Sequence, residues 1–125
     1  MRERLKSVPN EVVCKYLFEP SILDDSNRSF DNMINLNLAH VLMLNKQKII
    51  DKKDAEIILQ ALLDLRDKGA DAFEVNPLYE DYYFNIEQYL ISQIGLESAG
   101  KMHTARSRND LHSTIDRMNV RDSII

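Results

Sequence analysis

The sequence has 125 residues with 16 Lys+Arg against 20 Asp+Glu, a formal net charge of -4, and 44% hydrophobic residues. That is one domain's worth of ordinary globular chain, too short for a multidomain machine. Its mild acidity argues against non-specific nucleic-acid binding, which needs net or strongly clustered positive charge, although one local basic cluster exists. The single cysteine, Cys14, excludes an intramolecular disulfide and any all-cysteine metal site. Among Val12, Val13 and Leu17 it reads as a buried, inert thiol. No segment approaches the ~20 apolar residues of a membrane span. The charged start Met1-Arg2-Glu3-Arg4-Leu5-Lys6 leads into no apolar signal region. A cytoplasmic location is the expectation. With only 3 Gly and 3 Pro, long helices are expected rather than a turn-rich β fold, so the fold class is all-α.

In chain order, Met1 to about Phe30 is the least regular stretch, interrupted by Pro9 and Pro20. Pro20 to Asn27, rich in Asp and Ser that bond their own backbone, reads as an ordered loop. From Asp31 to about Lys48 the pattern is helical, with Ile34, Leu38, Val41 and Leu42 as the apolar stripe and Leu36, Met43 and Leu44 widening it. Asp51 then caps a second helix bearing Ile58, Leu62 and Leu65, and Gly69 stops it. These two segments make an α-hairpin. Asp71 to Leu78 reads as a loop. A third helix follows from about Glu80 to Ile94, with Tyr83, Ile86, Leu90 and Ile94 on one face, and Gly95 ends it. The last helix starts near Asn109 with Leu111, Ile115, Met118 and Ile125 on one side, and nothing in Arg121 to Ile125 signals a stop. Exposure of Ile124 and Ile125, with association or local disorder there, is expected.

Between Gly100 and Arg108 there is no acidic residue, while Lys101, Arg106 and Arg108 are cationic. Ser107 and Asn109 fall where the final helix begins. A helix N-terminus beside an arginine is an anion receptor, because the dipole favours negative charge and a guanidinium grips a carboxylate through two parallel bonds. Ser-x-Asn-Asp is equally a plain helix cap, and the arginines could pair with Glu80, Asp81 or Glu87. Phosphate would satisfy the same donors, although no glycine-rich phosphate loop is present. His40 reads as a hydrogen-bonded core residue and His103 as a possible anion donor, with His112 uncommitted. No histidine pair has metal-ligand spacing with a carboxylate, and no nucleophile–base grouping stands out.

Lys101 to Asp110, Lys-Met-His-Thr-Ala-Arg-Ser-Arg-Asn-Asp, closely resembles the Gly-Lys-Leu-His-Thr-Gly-Arg-Ser-Arg-Asn-Asp signature of argininosuccinate lyases, in the fumarase/aspartase superfamily. Glu80-Asp81 followed by Asn85-Ile86-Glu87 resembles that family's Glu-Asp-(apolar)-His-x-x-x-Glu stretch, and Ala39 to Leu44 resembles its early helix. Ser21-Ile22-x-x-Asp25 is similar, more loosely, to its Ser-Ile-x-x-Asp substrate loop. The likeness covers most of the chain but roughly the first quarter of a full lyase.

The resemblance implies the N-terminal helical domain of such a lyase, residues 1–106, and the start of a central-bundle helix, residues 107–125. It implies β-elimination of argininosuccinate to arginine and fumarate, without metal or organic cofactor, in a homotetramer. The substrate is a small molecule, with no nucleic-acid or membrane partner. Ser107, Arg108 and Asn109 would hold the succinyl carboxylates with Thr104 close by, and Ser21 and Asp25 would meet the other end of the substrate. Leu111 stands where the family has Gln, Ala105 where it has Gly, and Tyr83 where it has His. These departures leave the exact substrate open, another fumarate-releasing lyase being one alternative. The family's serine loop and catalytic Thr-His segment do not occur in these 125 residues, so the chain alone is expected to show no turnover. A helical structural or interaction module that kept the fold without the chemistry is the other reading.

Overall fold

The computed structural model describes residues 8–125, and every described regular element is helical; the charged run Met1–Lys6 lies outside the described residues. A short α1 (Glu11–Val13) is capped by Asn10, whose side chain accepts from the Val12 N–H at 2.8 Å. It runs through a π turn, Cys14–Phe18, directly into α2 (Glu19–Arg28). The expected loop at Pro20 to Asn27 is therefore a helix. Proline lacks an N–H and its ring crowds the carbonyl four residues back, but both penalties are small in a first turn. Pro20 occupies that first turn, directly after the wider π turn in which Glu19 N–H reaches back to the Cys14 carbonyl. Ile22, fully buried, fixes the inward face. The supposed turn formers serve the helix instead: Asp24 pairs with Arg28 at 3.2 Å, and Asp25 accepts from Ser29 Oγ at 3.3 Å. Cys14 is half-buried, not buried, and Val12, Val13 and Leu17 beside it are exposed.

α3 (Phe30–Lys46) and α4 (Lys52–Lys68) form the antiparallel hairpin. Ile34, Val41 and Leu44 are wholly buried on α3, together with Asn37. Their steps of three and four residues trace one face, and Leu42, about 100° round from Val41, turns outward and is 56% exposed. Leu42 is thus not a core residue. Asp51 caps α4 by accepting from the Asp54 N–H at 2.8 Å, Ile58, Leu62 and Leu65 are buried, and Gly69 at φ 85° stops the helix where a side chain would be strained. The segment after it contains two single 3₁₀ turns, Ala70–Ala72 and Pro77–Tyr79. Phe73 lies between them, its ring 5.1 Å from Tyr89 and 6.0 Å from Tyr82.

α5 (Tyr82–Ile94) starts two residues later than expected, because Asp81 is its cap and Glu80 lies outside it at φ 70°. It buries Tyr82, Tyr83, Ile86 and Leu90. After Gly95 come a one-turn α6 (Leu96–Ala99) and a 3₁₀ turn, Gly100–His103. Asp54, in the first turn of α4, receives Ser98 Oγ at 3.0 Å and pairs with Lys101, which ties this turn to the hairpin. α7 (Arg108–Ile124) then lies along α3, with Asn32 donating to Asn119 at 2.8 Å and Asn119 donating to Ser29 at 3.0 Å. Leu111 and Ile115 are buried, whereas Ile124 and Ile125 are exposed. Ile125 therefore does not join the stripe expected for this helix.

Truncating a fully buried leucine loses transfer energy and leaves a cavity, at about 2–5 kcal/mol. Leu62→Ala is expected to lower unfolding free energy by that much in urea titrations. Leu42→Ala should change it by less than about 0.5 kcal/mol, as exposed positions do; equal losses would contradict the assigned face of α3.

Candidate functional site

α7 begins at Ser107, in extended backbone, whose Oγ accepts from the Asp110 N–H at 3.3 Å while Asp110 accepts from the Ser107 N–H at 2.9 Å. This capping box satisfies two terminal donors and draws the Asp110 carboxyl below its ordinary value. It does not use the N–H groups of Arg108 and Asn109, the first two of the helix. Arg108 Nη1 donates to Asp81 Oδ2 at 3.1 Å, and its guanidinium lies 4.9 Å from the Phe84 ring centre. Asp81 Oδ1 simultaneously accepts from the Phe84 N–H at 2.6 Å. One carboxylate thus sits between the positive ends of α5 and α7.

A cleft of about 670 Å³ opens at this corner, lined by Ser107, Arg108 and Asn109 with Glu80, Phe84 and Glu87. The structure therefore brings together three of the residues singled out by sequence, and it places carboxylates opposite them. Burial raises the Glu87 carboxyl above its ordinary value, although the charge of Arg108 pulls the other way. The cleft suits a ligand carrying both signs of charge better than a bare dianion.

Thr104 is not in that lining. It ends the preceding 3₁₀ turn, and its carbonyl accepts from His40 Nε2 at 2.9 Å. His40, expected in the core, is only half-buried, yet it is hydrogen-bonded as expected. Asp25 approaches the corner from α2, near enough to Asp81 and His112 to feel their charges, and burial raises its carboxyl. Ser21, an exposed residue one turn before Asp25 on the same helix, lies outside the cleft lining, as Asp25 does.

Three residues missed as site elements complete the geometry. Arg106 donates to Asn37 Oδ1 on α3 and, at 3.1 Å, to the Tyr83 hydroxyl on α5. That hydroxyl also meets His103 Nδ1 at 3.0 Å. Because the guanidinium can only donate, Tyr83 accepts from Arg106, which leaves its own proton available for a bond with His103 Nδ1. Burial pushes the Tyr83 hydroxyl up to about 12, so it keeps that proton. In the sequence, Asn37 stands one turn before His40 on an otherwise apolar face, a signal for this network that names no partner. Ala105, between Thr104 and Arg106, has φ 60°. An L-residue pays about 1–2 kcal/mol there, which glycine would not. Leu111, at the other altered position, is a core residue.

Burial first, then the neighbouring arginines, holds the His103 imidazole below 6.5. His40 is likewise lowered by burial and Arg106, against the Thr104 carbonyl. Folding therefore favours both neutral rings. Their contribution to stability is complete above the unfolded value near 6.5 and is lost as pH falls through the lower folded values. Denaturant titrations from pH 7 to pH 5 should show a shallower loss of stability for a His40→Gln/His103→Gln double variant than for the parent chain. Parallel slopes would dismiss this linkage.

No protein-family model matches the chain. Curated relatives do. It is 39% identical over 122 residues to argininosuccinate lyase 1 of Shouchella clausii, 42% identical over 123 residues to argininosuccinate lyase of Nitrosopumilus maritimus, and 36% identical over 124 residues to that of Methanocaldococcus jannaschii. Each match takes in 98–99% of this chain and 24–25% of the relative. The chain thus spans about a quarter of the length of these proteins, and the resemblance read at Lys101 to Asp110 is borne out: the chain is similar, over nearly its whole length, to the N-terminal portion of argininosuccinate lyases.

Proposed function

We propose that this chain supplies the carboxylate-binding corner of an argininosuccinate lyase-type β-elimination, which releases fumarate and arginine. The observation that carries the reading is the convergence of Ser107, Arg108 and Asn109 on one cleft at the start of α7, inside the segment that matches the lyase signature. Elimination removes a proton next to a carboxylate, so charge grows on that carboxylate in the transition state, and fixed donors aimed at it lower the barrier. The free N–H groups at a helix start and a guanidinium stacked on Phe84 are such donors. Glu87 in the cleft offers the opposite charge, suited to the guanidinium end of the substrate, and Asp25, outside the lining on α2, is the further carboxylate that the resemblance assigns to that end. Thr104 supports the donor segment through its backbone.

The same reading makes residues 1–106 the N-terminal helical domain and residues 107–125 the opening of a central-bundle helix in a cytoplasmic homotetramer of arginine biosynthesis. No described helix is long and apolar enough to cross a membrane. The general base and acid belong to motifs that the 125 residues do not contain, so binding without turnover is the behaviour expected of the chain alone.

Titration with succinate or fumarate, followed by amide NMR, should move the resonances of Ser107, Arg108 and Asn109 first. Arg108→Ala should weaken that binding about tenfold, the worth of one charge-assisted hydrogen bond. Absence of any dicarboxylate binding would favour a purely structural helical module, and fumarate formed from argininosuccinate by the chain alone would refute the division of labour.

A further inference from the structure

We propose that Arg106 is a positioning residue for the start of α7: it locks the left-handed turn at Ala105 and so fixes the direction in which Ser107, Arg108 and Asn109 point. The inference rests on the binding role given above to those three residues. Its basis is a clamp across three successive residues. On α3, Asn37 and His40 stand one turn apart and face the same way. His40 holds the Thr104 carbonyl at 2.9 Å, and Asn37 accepts from Arg106. The strained Ala105, at φ 60°, is thereby gripped on both sides. Asn37 is itself fixed, since its Nδ2 donates to the Met33 carbonyl at 2.9 Å and presents Oδ1 outward to the guanidinium. Tyr83 holds the guanidinium from the α5 side at 3.1 Å.

Stability alone does not account for this arginine. Its Nε and Nη1 are buried and have no hydrogen-bond partner. Among the described residues no carboxylate pairs with it. A buried charge with unsatisfied donors is costly, and an apolar side chain of equal length would often hold the fold better. The two unpaired nitrogens lie on different edges of the guanidinium plane, so one carboxylate could not bridge both, which argues against a second ligand site. What the residue provides is direction. One nitrogen, Nη2, reaches α3 and α5 at once, and the rigid guanidinium plane fixes its two bonding directions.

The test uses Arg106→Met, Arg106→Lys and Tyr83→Phe in the 125-residue chain. Arg106→Met should leave the melting temperature unchanged or raised. It should also speed amide exchange at Ser107 and Asp110, whose N–H groups close the capping box, and weaken succinate binding about tenfold, the scale on which small misplacements act. Arg106→Lys should restore part of both. Wild-type exchange and affinity in Arg106→Met would overturn the proposal, and so would affinity that falls only in step with lost stability. Should Arg106→Met fail to fold, Tyr83→Phe decides, since it removes one mooring and keeps the ring: faster local exchange at an unchanged melting temperature supports positioning, and no local change refutes it. If the parent chain binds no dicarboxylate, the proposed function fails, while the exchange measurements still decide the role of Arg106.

Discussion

The start of α7 is held by the two arginines that flank its cap, each bound to α5. Arg106 reaches the Tyr83 hydroxyl, and Arg108 reaches Asp81, which caps α5 at the same time. Ser107 lies between them with little freedom left. The constraint is economical because α5 presents Asp81 and Tyr83 only two residues apart, at its own first turn. The positive ends of two helices are thus brought together without mutual repulsion, a carboxylate lying between them. Everything assigned to the cleft follows from that junction. The proposed donors at the start of α7 take their direction from a turn at Ala105 that is held on both sides, by His40 and by Asn37.

This junction also shows why the two readings of Ser-Arg-Asn-Asp were compatible. The segment is a helix cap, since Ser107 and Asp110 satisfy each other. It is also a receptor in shape, since the box leaves the next two N–H groups of the helix unused and places Arg108 at the mouth of a cleft. A cap that consumed every terminal donor would have closed the site. Here the structural function takes the groups nearest the chain, and the outer ones remain available.

Much of the architecture was legible in the residues because it depends on local chemistry. Asp51, Gly69 and Gly95 set helix ends through a side-chain cap and permissive backbone, and those signals act within a few residues. The failure at Pro20 to Asn27 has an equally local cause: Asp, Ser and Pro favour turns and first helical turns alike, and only the burial of Ile22 against distant residues selects the helix. Leu42 was misplaced because a broad apolar stretch allows more than one face, and the partner helix makes the choice.

The hidden part of the site is the part built from long-range pairing. Asn37 and Arg106 are 69 residues apart, and Tyr83 and Arg106 are 23 apart. No periodicity reports such contacts. What the sequence did offer was a set of substitutions relative to the lyase signature, and the structure gives them a common logic. Ala105 takes a conformation that favours glycine, and so needs restraint from outside the turn. Tyr83 supplies it, by extending a hydroxyl far enough from α5 to meet both Arg106 and His103. The two departures therefore meet at one junction, since the turn at Ala105 and the Tyr83 hydroxyl are joined through Arg106.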